Sequence, residues 1–238
     1  MIKGIIFDLD DTLIDTQKHI LPGLEYVYEL NKKSLFLNIT KERYLKANND
    51  SVKELSLKIK NRTLTLYQFG FLIWVKTLEK LDLHSNPNNI YHLYNCLQDY
   101  ILAHIQVKEG VFDLLEELKD NSLKIGILSN GNFTERVNKL NRTKLMSYLD
   151  FLVTSDIVGE DKPSLKPFKE ILQKMNNLKP SEVIYVGDSI IEDIEPAKNI
   201  GFITVYLSEK LDQDSNMEYF DVSNFKSLSE LLHQNDWI

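Results

Sequence analysis

Cysteine is almost absent from this chain: Cys96 stands alone. A single thiol excludes an internal disulfide and fits a reducing compartment, with the cytoplasm as the default expectation. Long apolar runs are missing too, since none approaches the ~20 residues of a membrane span. The opening segment from Ile2 to Leu9 is interrupted by Lys3, Gly4 and Asp8 and carries no secretory signal. Positive charge is in deficit, with 28 Lys and Arg against 35 Asp and Glu, a net charge of −7. A nucleic-acid partner is therefore not expected, because binding a phosphate backbone needs a basic surface, and no membrane partner is expected either. Internal repeats, low-complexity segments and the Gly-rich loop of nucleotide triphosphatases are all lacking. Alanine is limited to Ala47, Ala103 and Ala197, from which no function follows.

What is present is an ordinary globular composition, 43% hydrophobic and 26% charged over 238 residues, enough for one large domain or a domain with an insert. Lys3–Phe7 reads as a short strand that ends in Asp8-Leu-Asp-Asp-Thr12. From about Lys18 to His104 apolar residues recur at helical spacing, as in Leu66, Phe69, Ile73, Leu78 and Leu81. This stretch reads as four or five helices, broken near Asn48–Asp50 and Ser85–Asn89. Alternation then resumes. Helices are expected at Val111–Leu118, Thr134–Leu140, Pro167–Met175 and Asp193–Asn199. Strands are expected at Leu123–Leu128, Phe151–Thr154, Val183–Val186 and, as the last of the core, Phe202–Val205; Glu209–Asn216 reads as a polar loop. Strands alternating with helices imply a parallel sheet covered on both faces. The expected fold is α/β, a Rossmann-like parallel-sheet core over residues 1–16 and 105–238, with an inserted all-helical domain over 17–104.

Four groups of polar residues each follow a different expected strand: Asp8/Asp10/Thr12, Ser129/Asn130, Lys162 and Asp188/Asp193. In open parallel sheets the carboxyl ends of the strands share one edge, where ligands bind. Converging there, Asp8, Asp10 and Asp188 would repel one another unless a cation neutralised them. Hard carboxylate oxygens suit magnesium, and the absence of thiol or imidazole partners argues against zinc. Lys162 and the Ser129 hydroxyl supply a cation and a donor for a bound dianion. Such a set suits a phosphoryl group: a carboxylate can attack phosphorus to form an acyl phosphate, and Asp10 could move the protons. Taken singly, each element has a plainer explanation as a helix cap, a turn or a solvated loop lysine. Together, each after its own strand, they favour the functional one.

These residues resemble the four motifs of the haloacid dehalogenase superfamily of phosphohydrolases. Asp8-Leu-Asp-Asp-Thr-Leu13 is similar to the first motif, implying Asp8 as nucleophile and Asp10 as acid/base. Ser129-Asn130-Gly131 resembles the second, implying phosphate binding by Ser129 and Asn130. Lys162-Pro163, with Phe168 beyond it, resembles the third, whose Lys steadies nucleophile and phosphate. Gly187-Asp188-Ser189 through Asp193 is similar to the fourth, implying Asp8, the Asp10 backbone carbonyl and Asp188 as magnesium ligands with Asp193 behind them. The helical insert resembles the cap of the superfamily's first cap class, which closes over the cleft and selects a small phosphorylated metabolite. Two departures stand out. Glu109 replaces a Pro before Gly110, and Lys166-Pro167 offers a second Lys-Pro pair.

The resemblance implies Mg²⁺-dependent hydrolysis of a phosphate monoester, of the nucleotidase, acylneuraminate phosphatase or phosphoglycolate phosphatase kind, with a slight tilt to nucleoside monophosphates over sugar phosphates. A sugar phosphomutase is the alternative within the same chemistry. Carbon–halogen hydrolysis is disfavoured by Asp10. A phospho-accepting receiver domain would be shorter and lack the insert, and a non-catalytic binding protein would not need every group. The five histidines show no ligand spacing and Cys96 reads as a small buried hydrophobe. Phe69, Phe71 and Trp74 read as core of the insert, and Arg43 and Arg62 as its solvated face. Oligomeric state is not legible.

Overall fold

Gly4–Phe7 forms the first strand, β1, and all four residues are buried. A strand with helices on both faces has no solvated side, which is why its sequence is apolar without alternation. The computed structural model describes residues 1–61, 63–176, 178–208 and 219–238; Arg62 and the stretch Glu209–Asn216 fall outside these. The chain divides into two compact units, Met1–Asp15 with Gln106–Ile238, and Thr16–Ile105.

Among its described residues the second unit holds four α-helices, α1 (Ile20–Asn31), α2 (Lys41–Lys60), α3 (Leu66–Lys80) and α4 (Pro87–His104), after a 3-10 turn at Gln17–His19. Their starts are written in side chains. Thr40 accepts from the Arg43 amide, Thr65 and Gln68 form a reciprocal capping box, and Asn86 caps α4 with Pro87 at the first turn. The break expected near Asn48–Asp50 does not exist. Those residues lie inside α2, where buried Asn48 donates to Thr77 Oγ1 at 3.3 Å and Ser51 Oγ donates to the Ala47 carbonyl at 2.7 Å. A tertiary partner outweighs the poor helix propensity of Asn-Asn-Asp. The interior is aromatic and aliphatic, with Phe36, Tyr44, Trp74, Leu78 and Leu93 buried together. Phe71 stacks on Tyr94 at 4.1 Å between ring centroids, while Phe69 is only half-buried. Cys96 is also half-buried rather than enclosed, its sulfur lying 3.7 Å from His92 Nε2 one turn earlier on α4.

The first unit continues through α5 (Val111–Asp120), β2 (Lys124–Ser129), α6 (Phe133–Arg142), β3 (Phe151–Thr154), α7 (Ser155–Val158) and α8 (Leu165–Lys174). Then follow β4 (Val183–Gly187), a π-helical turn (Ile190–Ile194), α9 (Glu195–Ile200), β5 (Ile203–Leu207), β6 (Phe220–Val222) and α10 (Phe225–Gln234). All pairings are parallel, in the order β3-β2-β1-β4-β5-β6. The sheet thus continues one strand past Phe202–Val205; a three-residue edge strand carries too little apolar pattern to be seen in sequence. Ile6, Leu128, Val153, Phe168, Ile171 and Tyr185 belong to one buried cluster of this unit. From β1 the strand order runs outward one way through β2 and β3, then restarts beside β1 with β4. Such a reversal opens a crevice at the carboxyl ends of the strands flanking it.

Candidate active site

Phe7 is in register with Ile127 of β2 and Val186 of β4, so Asp8, Ser129 and Asp188 leave the sheet at its carboxyl edge within a residue or two of one level. The Asp8 amide donates to the Val186 carbonyl at 2.9 Å, carrying the pairing into the motif. Lys162 arrives from the loop after α7. Its side chain is 3% exposed, and Nζ donates to Asp8 Oδ1 and to Asp193 Oδ1, each at 2.6 Å. Lys166, the other lysine before a proline, is 57% exposed and pairs with Glu160 at 3.5 Å. Of these two lysines, Lys162 is the one that meets Asp8 and Asp193.

Asn130 does something the sequence did not reveal. Its Oδ1 accepts from the Lys162 amide at 2.6 Å and its Nδ2 donates to the Lys162 carbonyl at 3.1 Å. The side chain clamps the lysine's backbone in place. A carboxamide can pair with both backbone groups of one residue, as a neighbouring strand would.

Asp193 reaches the cluster through the π-helical turn, a wide helical form often found at functional sites. Gly187 makes the approach feasible: a Cβ there would lie 2.5 Å from Asp193 Cβ and Cγ. Asp193 Oδ1 also accepts from the Tyr185 hydroxyl at 2.9 Å, and its Oδ2 from the Ser189 amide at 3.2 Å. Asp188 is oriented by the Thr12 hydroxyl, which donates to Oδ1 at 2.9 Å. Thr12 can do this because Asp11 turns the chain with φ of 62°. Asp8, Asp188 and Asp193 each bring a carboxylate oxygen within 4.8 Å of the others. That donor set is all hard oxygen, which suits a hard divalent cation and not a thiophilic one.

Burial governs the titration of this cluster. It pushes the Asp8 carboxyl up to about 8, against the pull of the Lys162 charge and with the carboxylates of Asp193 and Asp188 adding to the rise. Asp188 and Glu192 rise for the same first reason. Burial also disfavours the Lys162 ammonium, yet the charges of Asp193 and Asp8 outweigh it and hold this lysine well above its ordinary value. Several carboxylates thus share one lysine and stay under-neutralised, the condition a divalent ion would relieve.

A second group of contacts surrounds Asp10. Lys139 meets Asp10 Oδ1, and Arg136 Nη2 lies 3.2 Å from Oδ2. Arg136 Nε also donates to the Ser129 hydroxyl at 2.9 Å. Arg136, Lys139, Tyr185, Glu192 and the Thr12–Asp188 bond were not singled out in the sequence. A usable signal was there for two of them: cations three apart on the helix that follows Ser129-Asn130-Gly131. Tyr185 also interrupts an otherwise aliphatic strand with a hydroxyl. Elsewhere in this unit a cavity of about 840 Å³ lies between α5 and α10, lined by Glu109, Asp113, Glu117 and Asp120 among others. It contains none of these groups, and its carboxylates would repel a phosphate.

A parallel α/β sheet with a lysine-bridged carboxylate cluster at its switch point defines a class of hydrolase that works on anionic esters. Residues 5–207 match the haloacid dehalogenase-like hydrolases, and the chain belongs to that family; it is an enzyme, a phosphatase. Among its relatives is the glyceraldehyde 3-phosphate phosphatase of Methanocaldococcus jannaschii, 32% identical over 98% of this chain and 96% of that protein. The glyceraldehyde 3-phosphate phosphatase of Pyrococcus furiosus is 30% identical over 94% of this chain and 88% of its own length. The magnesium-bound HAD-hydrolase YfnB of Bacillus subtilis has a similar fold, with a TM-score of 0.78 and 17% identity over 97% of this chain and 98% of that one. No helix among the described residues is long and apolar enough to cross a membrane.

Proposed function

We propose that the enzyme hydrolyses the phosphate monoester of a short-chain sugar, with Asp8 as nucleophile and Asp10 as general acid and base. An Asp8 oxygen attacks phosphorus while the ester bond to the leaving alkoxide breaks, and Asp10 gives that alkoxide its proton. Asp10, now a carboxylate, takes a proton from water as the water oxygen attacks the aspartyl phosphate, which frees Asp8 and releases inorganic phosphate. Lys162 and the Ser129 hydroxyl hold the equatorial oxygens of the transferring group. Asn130 serves by fixing Lys162. Magnesium, held by Asp8, Asp188 and the Asp10 carbonyl with Asp193 behind them, would supply charge neutralisation at the phosphoryl oxygens.

The observation that carries this reading is the Lys162 ammonium 2.6 Å from both Asp8 and Asp193 beside Asp188 at the sheet's carboxyl edge. Support for a sugar phosphate over a nucleoside monophosphate comes from the two glyceraldehyde 3-phosphate phosphatases, whose resemblance runs almost end to end. The helical unit, Thr16–Ile105, is proposed as the cap that selects substrate. The test is phosphate release from a panel of triose, pentose and hexose phosphates and nucleoside monophosphates, with and without magnesium. Metal-dependent turnover led by a triose or pentose phosphate is expected. A nucleotide preference would overturn the substrate class, and full activity in a chelator would remove the metal.

A further inference from the structure

We propose that Arg136 and Lys139 are positioning residues for the acid/base group: two cations on one face of α6 that hold both oxygens of Asp10 and tie them to the Ser129–Asn130 turn. This rests on the roles assigned above to Asp10 and Ser129.

The geometry is specific. Residues three apart on a helix project side by side, and here both side chains are largely enclosed, Arg136 at 12% and Lys139 at 7% exposure. Lys139 takes one oxygen of Asp10 and Arg136 the other. Through Nε the same guanidinium reaches the Ser129 hydroxyl at 2.9 Å and the Asn130 carbonyl at 3.1 Å. One planar group therefore fixes the spacing between the hydroxyl assigned to phosphate and the carboxylate assigned to proton transfer. Gly131 is shaped to admit it: the residue has φ of +109°, and a Cβ there would lie 2.4 Å from Arg136 Nη2.

Stability does not explain the arrangement. Enclosing two cations costs solvation, and well-packed apolar residues would commonly serve a helix face as well or better. Catalysis does explain it. Asp10 follows the end of β1 in a turn, and its carboxyl group must meet first the leaving oxygen, as the acid, and then water, as the carboxylate base, where an error of 1 Å can cost about 10²-fold in rate. A carboxylate offers about four acceptor positions on two oxygens, so a cation on each oxygen fixes the plane of the group without filling it.

The test separates positioning of a proton donor from general damage by varying the leaving group. An alkyl phosphate needs its leaving oxygen protonated; 2,4-dinitrophenyl phosphate expels a stable phenolate and does not. The constant kcat/KM reads only the steps through formation of the aspartyl phosphate, so the shared hydrolytic half drops out. For Lys139→Met, kcat/KM for the alkyl ester should fall about 10²-fold, against less than about threefold for the dinitrophenyl ester, with Lys139→Arg restoring most of the loss. Equal losses on both esters would overturn the positioning role. If Lys139→Met fails to fold by circular dichroism, Arg136→Lys, which keeps the charge but loses the fork, decides by the ratio of the two losses. Because Arg136 also holds the Ser129 hydroxyl, both esters should slow, the alkyl ester at least about tenfold more. Wild-type enzyme inert toward every phosphate monoester would overturn the phosphatase roles and this one with them; an active wild type with equal losses overturns this one alone.

Discussion

The two units treat charge in opposite ways. In the α/β unit, Lys162, Asp8 and Asp193 meet with side chains 3%, 8% and 2% exposed. In the helical unit the ion pairs Arg43–Asp82, Lys80–Glu54 and Lys76–Glu79 all have side chains a third or more exposed, and the interior belongs to Trp74, Tyr44 and Phe36. Exposed pairs are worth little because water and salt already solvate both partners. Burying a charge costs several kcal/mol unless its partners are well placed. A unit that keeps a lysine and several carboxylates out of water, while the helical unit keeps none among its described residues, holds an arrangement that stability alone would not select. The contrast singles out the α/β unit as the place to test for chemistry.

The sharpest way to break the contrast is Asp8→Asn. If the buried cluster exists for catalysis, this isosteric change should lower phosphate release by at least ~10³-fold while the far-ultraviolet circular dichroism spectrum stays that of the wild type. Retention of a tenth of the activity would sink the nucleophile assignment. In the helical unit the largest effect should instead be on stability. Trp74 is 1% exposed, and Trp74→Ala should cost about 3–5 kcal/mol through lost transfer energy and the cavity left behind, read from the denaturation midpoint at constant slope.

The third effect is smaller and has a sign. Burial pushes the Asp8 carboxyl up to about 8 from its ordinary 3.8. Between those values the folded chain binds more protons than the unfolded chain, so stability falls as pH rises through the interval. A divalent cation needs the carboxylate deprotonated and competes with the proton. Magnesium should therefore raise Tm more at pH 8 than at pH 5.5. At a hundred times its dissociation constant the gain is about 2.7 kcal/mol, or ~5–10 °C for a chain of this size. A Tm gain independent of pH would show that the ion binds elsewhere.

The same contrast explains what could be read before any coordinates. Asp8, Ser129, Lys162 and Asp188 were legible because each follows a buried strand, and strand ends in a parallel sheet share an edge. Spacing to Phe168 favours Lys162 over Lys166, and in the structure Lys162 is the buried one of the two. The contacts of Asn130 with the backbone of Lys162, 32 residues on, were not legible, since side-chain type says nothing about which backbone it will meet. The sequence signal of Arg136 and Lys139 is weak because cations on an amphipathic helix usually face water. The helical unit was legible as helices but not in its boundaries: Asn48–Asp50 looked like a break until Thr77 supplied a partner. Local propensity decides only where tertiary contacts are silent.

The smallest expected effect tests whether the exposed charges of the helical unit are as inert as the contrast requires. Arg43 is the candidate, because a cation on a unit proposed to select substrate is a natural partner for an anionic ligand. Its guanidinium lies 3.0 Å from Asp82, with the two side chains 50% and 88% exposed. The bond that matters to α2 comes from the Arg43 amide, which donates to Thr40 Oγ1, and a substitution at the side chain leaves it in place. Arg43→Ala should therefore change stability by less than ~0.5 kcal/mol and kcat/KM by less than about twofold. A tenfold rise in KM at unchanged Tm would show that this surface binds substrate, and charge in the helical unit would then have a catalytic purpose after all.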